Sequence, residues 1–348
     1  ARLGRELEAH QLHAQQREDE EDQRKEREQL HHRLERVEHA VHDVAQPAAP
    51  RPPRSEAQGS EERRGRRVGA KAKAGGEAGG EGVGAGVGAV ATQSIAEPSY
   101  GPKGLALMEQ GIPADEVLKS LLAKDSGENV RQIGMVDANG NVGAHTGARC
   151  IRYAGHKIGK HYSVQANIME KPTVPNAMSK AFENAKGDLA ERMLVALEAA
   201  EKEGGDLRGK QSAAILVVSG NPSGDAWKDR VVDIQIGDHH DPLGELRRLL
   251  NISKAYHHAQ KGDEYMEKDK MDLALQEYSL AANLYPENPE LPFWTAVTLA
   301  QTGELEKALP IFKDVFSKNK SLRELIPRII ESGFLKDDQE MVDRILNQ

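Results

Sequence analysis

Residues 83–104, VGAGVGAVATQSIAEPSYGPKG, constrain the fold more than any other stretch of the chain. From Val83 onward, glycines alternate with small apolar residues, which predicts a single buried strand with one glycine face. Such a face lets another layer or a ligand approach the backbone closely. Thr92, Gln93 and Ser94 end the strand with hydroxyls and an amide before two prolines interrupt it. The stretch therefore predicts either a buried strand that ends in a polar loop or the floor of an active site.

The composition argues against several classes of protein. Only 38% of the 348 residues are hydrophobic, which is low for a fully packed chain of this length. The net charge of −8 gives no general basic surface for nucleic acid. Cys150 is the only cysteine, so neither an intrachain disulfide nor a cysteine metal cluster is expected. No apolar run is long enough to span a membrane and no leader pattern is visible, which favours the cytoplasm.

The first part of the chain differs from the rest in composition. Residues 1–46 are highly charged and carry a heptad pattern too short for a coiled coil, so we predict a solvated helical or disordered segment. Residues 47–82 are rich in Pro, Ala, Arg, Gly and Glu and predict a low-complexity linker. The arginines of this linker lack interleaved aromatic residues, which argues against a nucleic-acid arm. The histidines of residues 1–46 are not expected to form a metal site.

Residues 83–256 predict an α+β domain. Strands are predicted at Arg131–Asp137, Asn141–Thr146, Tyr162–Ile168, Gln211–Ser219 and Asp229–Ile236. Helices are predicted at Pro113–Lys124, around 174–182, after an Asp188 capping box, and after Asp241-Pro242. Asn139-Gly140 is a strong hairpin signal between two of the strands. Hairpins, a strand covered on both faces and a helix pair together indicate sheets sandwiched between helices.

Several motifs of this domain resemble a known family. They are ATQSIAEPSYGPKGL, QIGMVDANGNVGAHTGARC, AGHKIGKHYSVQANIM, GGDLRGKQSAAILVV and DHHDPLGELRRLL, in this order. Together they resemble a bacterial domain of unknown function that is described as Ntn-hydrolase-like, over residues 83–256. The resemblance implies a four-layer αββα sandwich. It also implies a nucleophile that is the first residue of the mature chain, a Thr, Ser or Cys whose own amine is the base. That nucleophile strand would precede Val83, where residues 1–82 do not resemble it, so the catalytic nucleophile is not identified.

Amides and hydroxyls at the ends of strands can position a substrate or stabilise an oxyanion. The candidate substrate-positioning residues are Thr92, Gln93, His145, Thr146, Gln165, Asn167, Gln211 and Ser212. For each of them the alternative is an ordinary hydrogen-bonded strand end. The run from Asp238 to Asp241 resembles a metal cluster in composition, but Asp241 is explained as a helix cap. We therefore predict no metal and no cofactor, and Gly84–Gly88 lacks the Lys of a phosphate-binding loop.

Residues 257–348 carry an internal repeat. Apolar and small residues from Met271 to Ala281 recur 34 residues later, from Leu305 to Val315, which is the tetratricopeptide (TPR) period. A third partial unit is predicted within 322–346. Helix pairs of this kind leave a concave face for a peptide or a partner helix. The alternative is a stabilising cap that docks on the first domain.

Two functions follow from the sequence. The first is an Ntn-class hydrolase of amide or related bonds, of unknown substrate, with a C-terminal protein-interaction repeat. The alternative is a non-catalytic binding or scaffold protein that keeps the Ntn-like fold without its nucleophile. Peptide or protein partners are expected at the repeat, together with self-association, whereas nucleic acid and membrane are not expected as partners.

Overall fold

A computed structural model of the protein describes residues 69–74 and 82–348. The predictions for residues 1–46 lie outside the described residues. Of the predicted linker, 69–74 is described as strand β1 (Gly69–Ala74), so a strand occupies part of a stretch predicted to be unstructured. Low-complexity composition hides this strand, because its residues lack the β-branched and aromatic side chains by which strands are recognised.

The first sheet contains four antiparallel strands in the order β2-β3-β4-β5. They are β2 (Gly82–Gly84), β3 (Gly88–Ser94), β4 (Arg131–Asp137) and β5 (Val142–Thr146). Helices α1 (Tyr100–Glu109) and α2 (Ala114–Leu122) cover one face of this sheet. Val90, Ile133 and Met135 are buried on that face, in one apolar cluster with residues of both helices. Removing this apolar surface from water holds the helices on the sheet.

Strands β2 and β3 form a tight hairpin, and the single strand predicted from Val83 is wrong. The Val87 N–H donates to the Gly84 carbonyl at 3.0 Å and closes the turn. Gly86 has φ of 67°, which glycine adopts without a steric penalty. A Cβ at Gly86 would also lie 2.7 Å from Cδ of Pro222. Alternating glycines and small residues fit a straight strand and a glycine turn equally well. The pattern therefore predicted one strand where the structure has a hairpin.

The remaining strands form a three-stranded sheet and a hairpin. The sheet has β8 (Ala213–Val218) between β1 and β9 (Arg230–Ile236), and the hairpin joins β6 (Gly155–Gly159) to β7 (Tyr162–Ala166). Strand β6 was not predicted from the sequence. The hairpin contacts β4 and β5, and β1 contacts β3, so these strands lie against the first sheet. The protein is thus an α+β fold of small antiparallel sheets with helices.

Three helices cover these strands on the other side. Helix α3 (Val174–Asn184) contacts β6 and β7, α4 (Leu189–Lys202) contacts β1 and β8, and α5 (Pro242–Met266) contacts β9. Val164, Ile215 and Leu246 are buried in the core that these elements share. Asp188 caps helix α4, because its carboxylate accepts the Glu191 N–H at 2.8 Å. The Glu191 carboxylate, which would complete a capping box, is paired with Arg247 and Lys254.

Helix α5 is continuous over 25 residues and connects the α+β part to an all-helical region. Its first half is bound to α4, since Arg247 forms ion pairs with Glu198 at 2.6 Å and with Glu191 at 2.8 Å. Lys254 adds a 3.0 Å contact to Asp188. The domain boundary at Tyr256 stays a prediction, and it falls inside this helix.

The helices that follow contact one another in sequence. They are α6 (Met271–Leu284), α7 (Glu290–Gln301), α8 (Leu305–Lys318), α9 (Ser321–Glu331) and α10 (Gln339–Leu346). Helices α6, α8 and α10 begin every 34 residues, at Met271, Leu305 and Gln339. A Cβ on Gly262 would overlap the Tyr278 ring, so a glycine lets α5 and α6 approach closely. Across the two described ranges, no helix combines the length and the apolar character that crossing a membrane requires.

Thr92 of β3 provides a test of this packing. Its hydroxyl is buried on the α1–α2 side of the sheet and has no hydrogen-bond partner among the described residues. We expect Thr92→Val to raise the free energy of unfolding by about 1 kcal/mol, because it removes an unsatisfied polar group at nearly constant shape. Thr92→Ala should lower it by about 1 kcal/mol, because it opens a cavity. Urea unfolding of both variants measures the difference, and a destabilised Val variant would contradict the assignment.

Candidate functional site

The opposite face of the first sheet carries a row of polar side chains. Gln93 of β3, Gln132 of β4 and Thr146 of β5 are cross-strand partners and lie side by side. This face meets the β6–β7 hairpin. A Cβ on Gly134, two residues along the same face, would overlap the Gln165 amide, so a glycine is needed for the hairpin to come this close.

The Gln132 side chain is the centre of this site and is fully buried. Its Nε2 atom donates to the backbone carbonyls of Gly155 at 3.1 Å and Ala166 at 3.0 Å. It also lies 2.9 Å from Oγ1 of Thr146. Since carbonyls only accept hydrogen bonds, they fix which end of the amide is the nitrogen. One buried amide therefore joins β4 to β5 and to both strands of the hairpin.

The other end of Gln132 orients two further amides. Its Oε1 atom accepts from Nε2 of Gln93 at 2.6 Å and from Nδ2 of Asn167 at 3.2 Å. Both donors are thereby held with a known nitrogen position. Gln93 and Asn167 are only partly buried. Each therefore keeps an amide carbonyl and a second N–H that Gln132 does not use.

A hydroxyl and an imidazole complete the arrangement. Oγ1 of Thr146 lies 2.8 Å from Nδ1 of His156, a residue of β6. Partial burial lowers the pKa of His156, and the neighbouring His145 lowers it further. The imidazole is therefore neutral at pH 7 and can accept a proton. We call Gln93, Gln132, Thr146, His156 and Asn167 the amide cluster.

The other predicted site residues lie outside the amide cluster. Thr92 and His145 share the opposite, helix-covered face of the sheet, and Nε2 of His145 lies 2.9 Å from the Glu128 carbonyl. Gln211 and Ser212 precede β8 in the three-stranded sheet. Of the eight predicted residues, the fold thus brings Gln93, Thr146, Gln165 and Asn167 to one place: three belong to the amide cluster, and Gln165 hydrogen bonds beside it to Ser163 at 2.5 Å. The roles of all eight stay predictions.

Sequence reasoning missed Gln132 and His156. Gln132 sits beside the apolar stretch Ile133–Val136 of strand β4, and a polar side chain in a covered strand is the signal that could have singled it out. His156 lies in the unpredicted strand β6, where flanking glycines, Gly155 and Gly159, concealed the strand pattern.

Three loops that border the amide cluster contain strained backbone. Ser94 follows Gln93 with φ of 67°, Tyr153 precedes β6 with φ of 55°, and Ile168 follows Asn167 with φ of 58°. A β-branched residue such as Ile168 is rarely found in this left-handed region. Such conformations cost about 1–3 kcal/mol each and concentrate at functional sites. The Ile168 carbonyl accepts the Leu207 N–H at 3.0 Å, which helps to hold it in place.

A mostly buried ion pair fixes the end of β4 beside the cluster. Arg131 Nε lies 2.8 Å from Asp125, and the Tyr100 hydroxyl donates to the same carboxylate at 3.2 Å. Arg131 also donates to the Ile95 carbonyl at 2.8 Å, which fixes the chain just beyond β3. The hydrogen bond from Arg131 lowers the pKa of Asp125 to about 2.

The residues predicted to resemble a metal cluster are used otherwise. The rings of His239 and His240 stack with centroids 4.4 Å apart, and Nδ1 of His239 accepts the Asp241 N–H at 3.0 Å. Asp241 caps α5 through the Gly244 N–H. In the ranges 69–74 and 82–348, no three His, Cys, Asp or Glu side chains come together in a way that holds a metal ion.

A model of a protein family matches residues 67–246, a range that includes every residue of the amide cluster. Its description is "Family of unknown function (DUF1028)". The chain belongs to the DUF1028 family. Among solved structures, the crystal structure of protein SPO2555 from Silicibacter pomeroyi, assigned to the same family model, is 26% identical. The match covers 53% of this chain and 80% of that chain, with a TM-score of 0.47. No curated protein matches the chain.

Replacing Gln132 tests whether it holds the sheets together. We expect Gln132→Met to lower the free energy of unfolding by about 3 kcal/mol, because it leaves the Gly155 and Ala166 carbonyls buried without a donor. Gln165→Met is the matched control on the neighbouring strand, since its amide bonds only Ser163 among the described contacts. It should cost less than about 1 kcal/mol. Chemical denaturation measures both values, and equal losses would contradict a central role for Gln132.

Asp125 predicts an acid-sensitive contribution to stability. Its pKa lies at about 2 in the folded protein, below the ordinary value of 3.8. A carboxyl with a depressed pKa stabilises the fold fully above its ordinary pKa and loses this contribution as the pH falls through the folded value. We expect melting temperature to fall between about pH 4 and pH 2, and to fall less in Asp125→Asn. Asp115→Asn, which removes an exposed carboxylate, should keep the full slope. A slope that is identical in Asp125→Asn would contradict the assignment.

Proposed function

We propose that the chain is an Ntn-hydrolase-like protein whose amide cluster binds a compound with an amide or related carbonyl group and hydrolyses it. We also propose that the C-terminal helices form a tetratricopeptide-like repeat and that this repeat binds a peptide or protein partner. Both parts are consistent with membership of a family of unknown function, which leaves the activity open.

The order of elements supports the fold part of the proposal. Helices α1 and α2 cover the outer face of the first sheet, and the hairpin and β1 contact the sheet from the other side. Helices α3, α4 and α5 in turn cover those strands. This sequence of layers agrees with the αββα sandwich that the sequence resemblance implies.

The observation that carries the activity is the fixed orientation of Gln93 and Asn167. Gln132 Oε1 accepts from both side chains, and Gln132 itself is held by two backbone carbonyls. Donors that are already oriented need no reorganisation when they bind a carbonyl oxygen, which is the basis of oxyanion stabilisation. A planar amide substrate offers both a donor and an acceptor, which match the unused groups of Gln93 and Asn167.

The test is amide hydrolysis by the full chain. A panel of N-acetyl amino acids and amino-acid amides is incubated with the protein, and the released amine or ammonia is measured. We expect release from at least one member and a loss of about 100-fold in kcat/KM for Asn167→Leu. Asp115→Asn, which changes a residue of helix α2 on the opposite side of the sheet, should keep the rate.

The two negative outcomes have different meanings. If the wild-type chain releases nothing from any member of the panel, the hydrolase proposal is wrong. If it releases product and Asn167→Leu is unimpaired, the activity stands but the amide cluster is not its site.

The non-catalytic alternative is favoured by one observation. Each donor and acceptor position of the Gln132 side chain is already occupied by protein atoms, which describes a rigid binding platform as well as it describes a catalytic one. Calorimetric titration with the same panel separates the two functions. Saturable binding without product would replace the hydrolase proposal by the binding one.

The repeat part rests on period, packing and exposure. Ala274, Ala281 and Ala308 are fully buried between helices, where small side chains let backbones approach. Leu273 and Leu280, two turns apart on α6, remain exposed. An exposed apolar row on a helical repeat suits a docked peptide.

A further inference from the structure

We infer that Thr146 is the nucleophile of the amide cluster and that His156 is its general base, so that the acyl group passes through an internal threonine. The inference rests on the proposed hydrolase function and goes beyond it, because it replaces a chain-terminal nucleophile by a residue inside the domain. It starts from the 2.8 Å contact between Thr146 Oγ1 and His156 Nδ1.

The hydrogen bonds around Thr146 set the direction of its proton. Gln132 Nε2 lies 2.9 Å from Thr146 Oγ1, and its two hydrogens are shared among this hydroxyl and the Gly155 and Ala166 carbonyls. An amide nitrogen does not accept hydrogen bonds. The hydroxyl therefore cannot give its proton to Gln132. The acceptor within reach is Nδ1 of His156, in the tautomer that carries its proton on Nε2. A hydroxyl that donates its proton to an imidazole is arranged as an activated nucleophile.

The imidazole is suited to the role of base. Because burial and His145 lower the pKa of His156, the neutral form that accepts a proton predominates at pH 7. Many nucleophile–base pairs have a third residue that orients the base. Here the third residue, Gln132, contacts the hydroxyl of the nucleophile Thr146 instead, and the ring belongs to a residue of strand β6.

Other hydroxyls near the site lack this arrangement. Thr92 faces the helices, and its hydroxyl has no hydrogen-bond partner within the part of the chain that the structure describes. The Ser163 hydroxyl accepts the Gln165 amide at 2.5 Å. Ser212 precedes β8 in the other sheet. The Thr146 hydroxyl, by contrast, lies 2.8 Å from the imidazole of His156.

The chemistry balances with water as the second reactant. Thr146 Oγ1 bonds to the substrate carbonyl carbon while its proton passes to His156 Nδ1. The carbon–nitrogen bond then breaks, and the amine leaves with that proton. This step leaves an ester on Thr146. Water gives a proton to His156 and attacks the ester carbon, and the carbon–oxygen bond breaks. Thr146 recovers its proton and the acid is released. The oriented Asn167 amide lies on the same cluster to stabilise the oxyanion of both steps.

The test uses the full chain and p-nitrophenyl acetate as the probe. We expect a burst of about one p-nitrophenol per chain, as an acyl-enzyme intermediate accumulates. Peptide mass mapping should find the acetyl group on Thr146. Thr146→Val should abolish the burst, whereas Thr146→Ser should retain it and so show that the site still folds. His156→Gln should slow the burst by about 100-fold, because it removes the proposed general base.

The results of this test decide whether Thr146 is the nucleophile. An acetyl group on another residue, or a burst that persists in Thr146→Val, overturns the inference. If the wild-type chain also hydrolyses members of the amide panel in that case, the proposed function stands with a different nucleophile. If the chain shows neither acetylation nor release from the panel, both proposals are wrong.

Discussion

The hydrogen bonds of the buried Gln132 amide are the constraint on which the rest of the site depends. The carbonyls of Gly155 and Ala166 belong to the hairpin, so this side chain connects the hairpin to the first sheet. It also accepts hydrogen bonds from Gln93 and Asn167 and so sets the orientation of both amides. Burial strengthens these hydrogen bonds, because the interior has a low dielectric constant. Losing one lowers the free energy of unfolding, because a buried carbonyl cannot replace the lost donor with water. Structure and candidate chemistry therefore rest on the same atoms.

Much of the fold could be read from the sequence, because the decisive signals are local. The Asp188 helix cap, the Asn139-Gly140 turn and the alternation within Arg131–Asp137 each depend on residues that are close along the chain. Strand β6 and the β2–β3 hairpin were missed for the converse reason. Their glycines fit several local conformations, and the choice between them is made by contacts with distant residues such as Pro222.

In the candidate site, too, local sequence did not show which residues come together. Thr92 and Gln93 are neighbours in sequence, as are His145 and Thr146, and both pairs were equally plausible at the strand ends. Side chains of a strand point alternately to opposite faces, so the register places one member of each pair in the amide cluster and the other against the helices. Gln132 escaped notice because its importance comes from partners on β3, β5, β6 and β7, a combination that no single stretch of sequence displays.

Helix α5 has a further consequence for the geometry between the α+β part and the helices that follow it. Its first half is held in the α+β core and by ion pairs with α4, and its second half packs against α6. An unbroken helix advances about 1.5 Å per residue and resists bending. Helix α5 therefore holds the two parts of the chain at a fixed separation, whereas a flexible linker would let that separation vary. If the C-terminal helices bind a partner as proposed, that partner would lie at a set distance and angle from the amide cluster, and its length would decide whether it reaches the cluster.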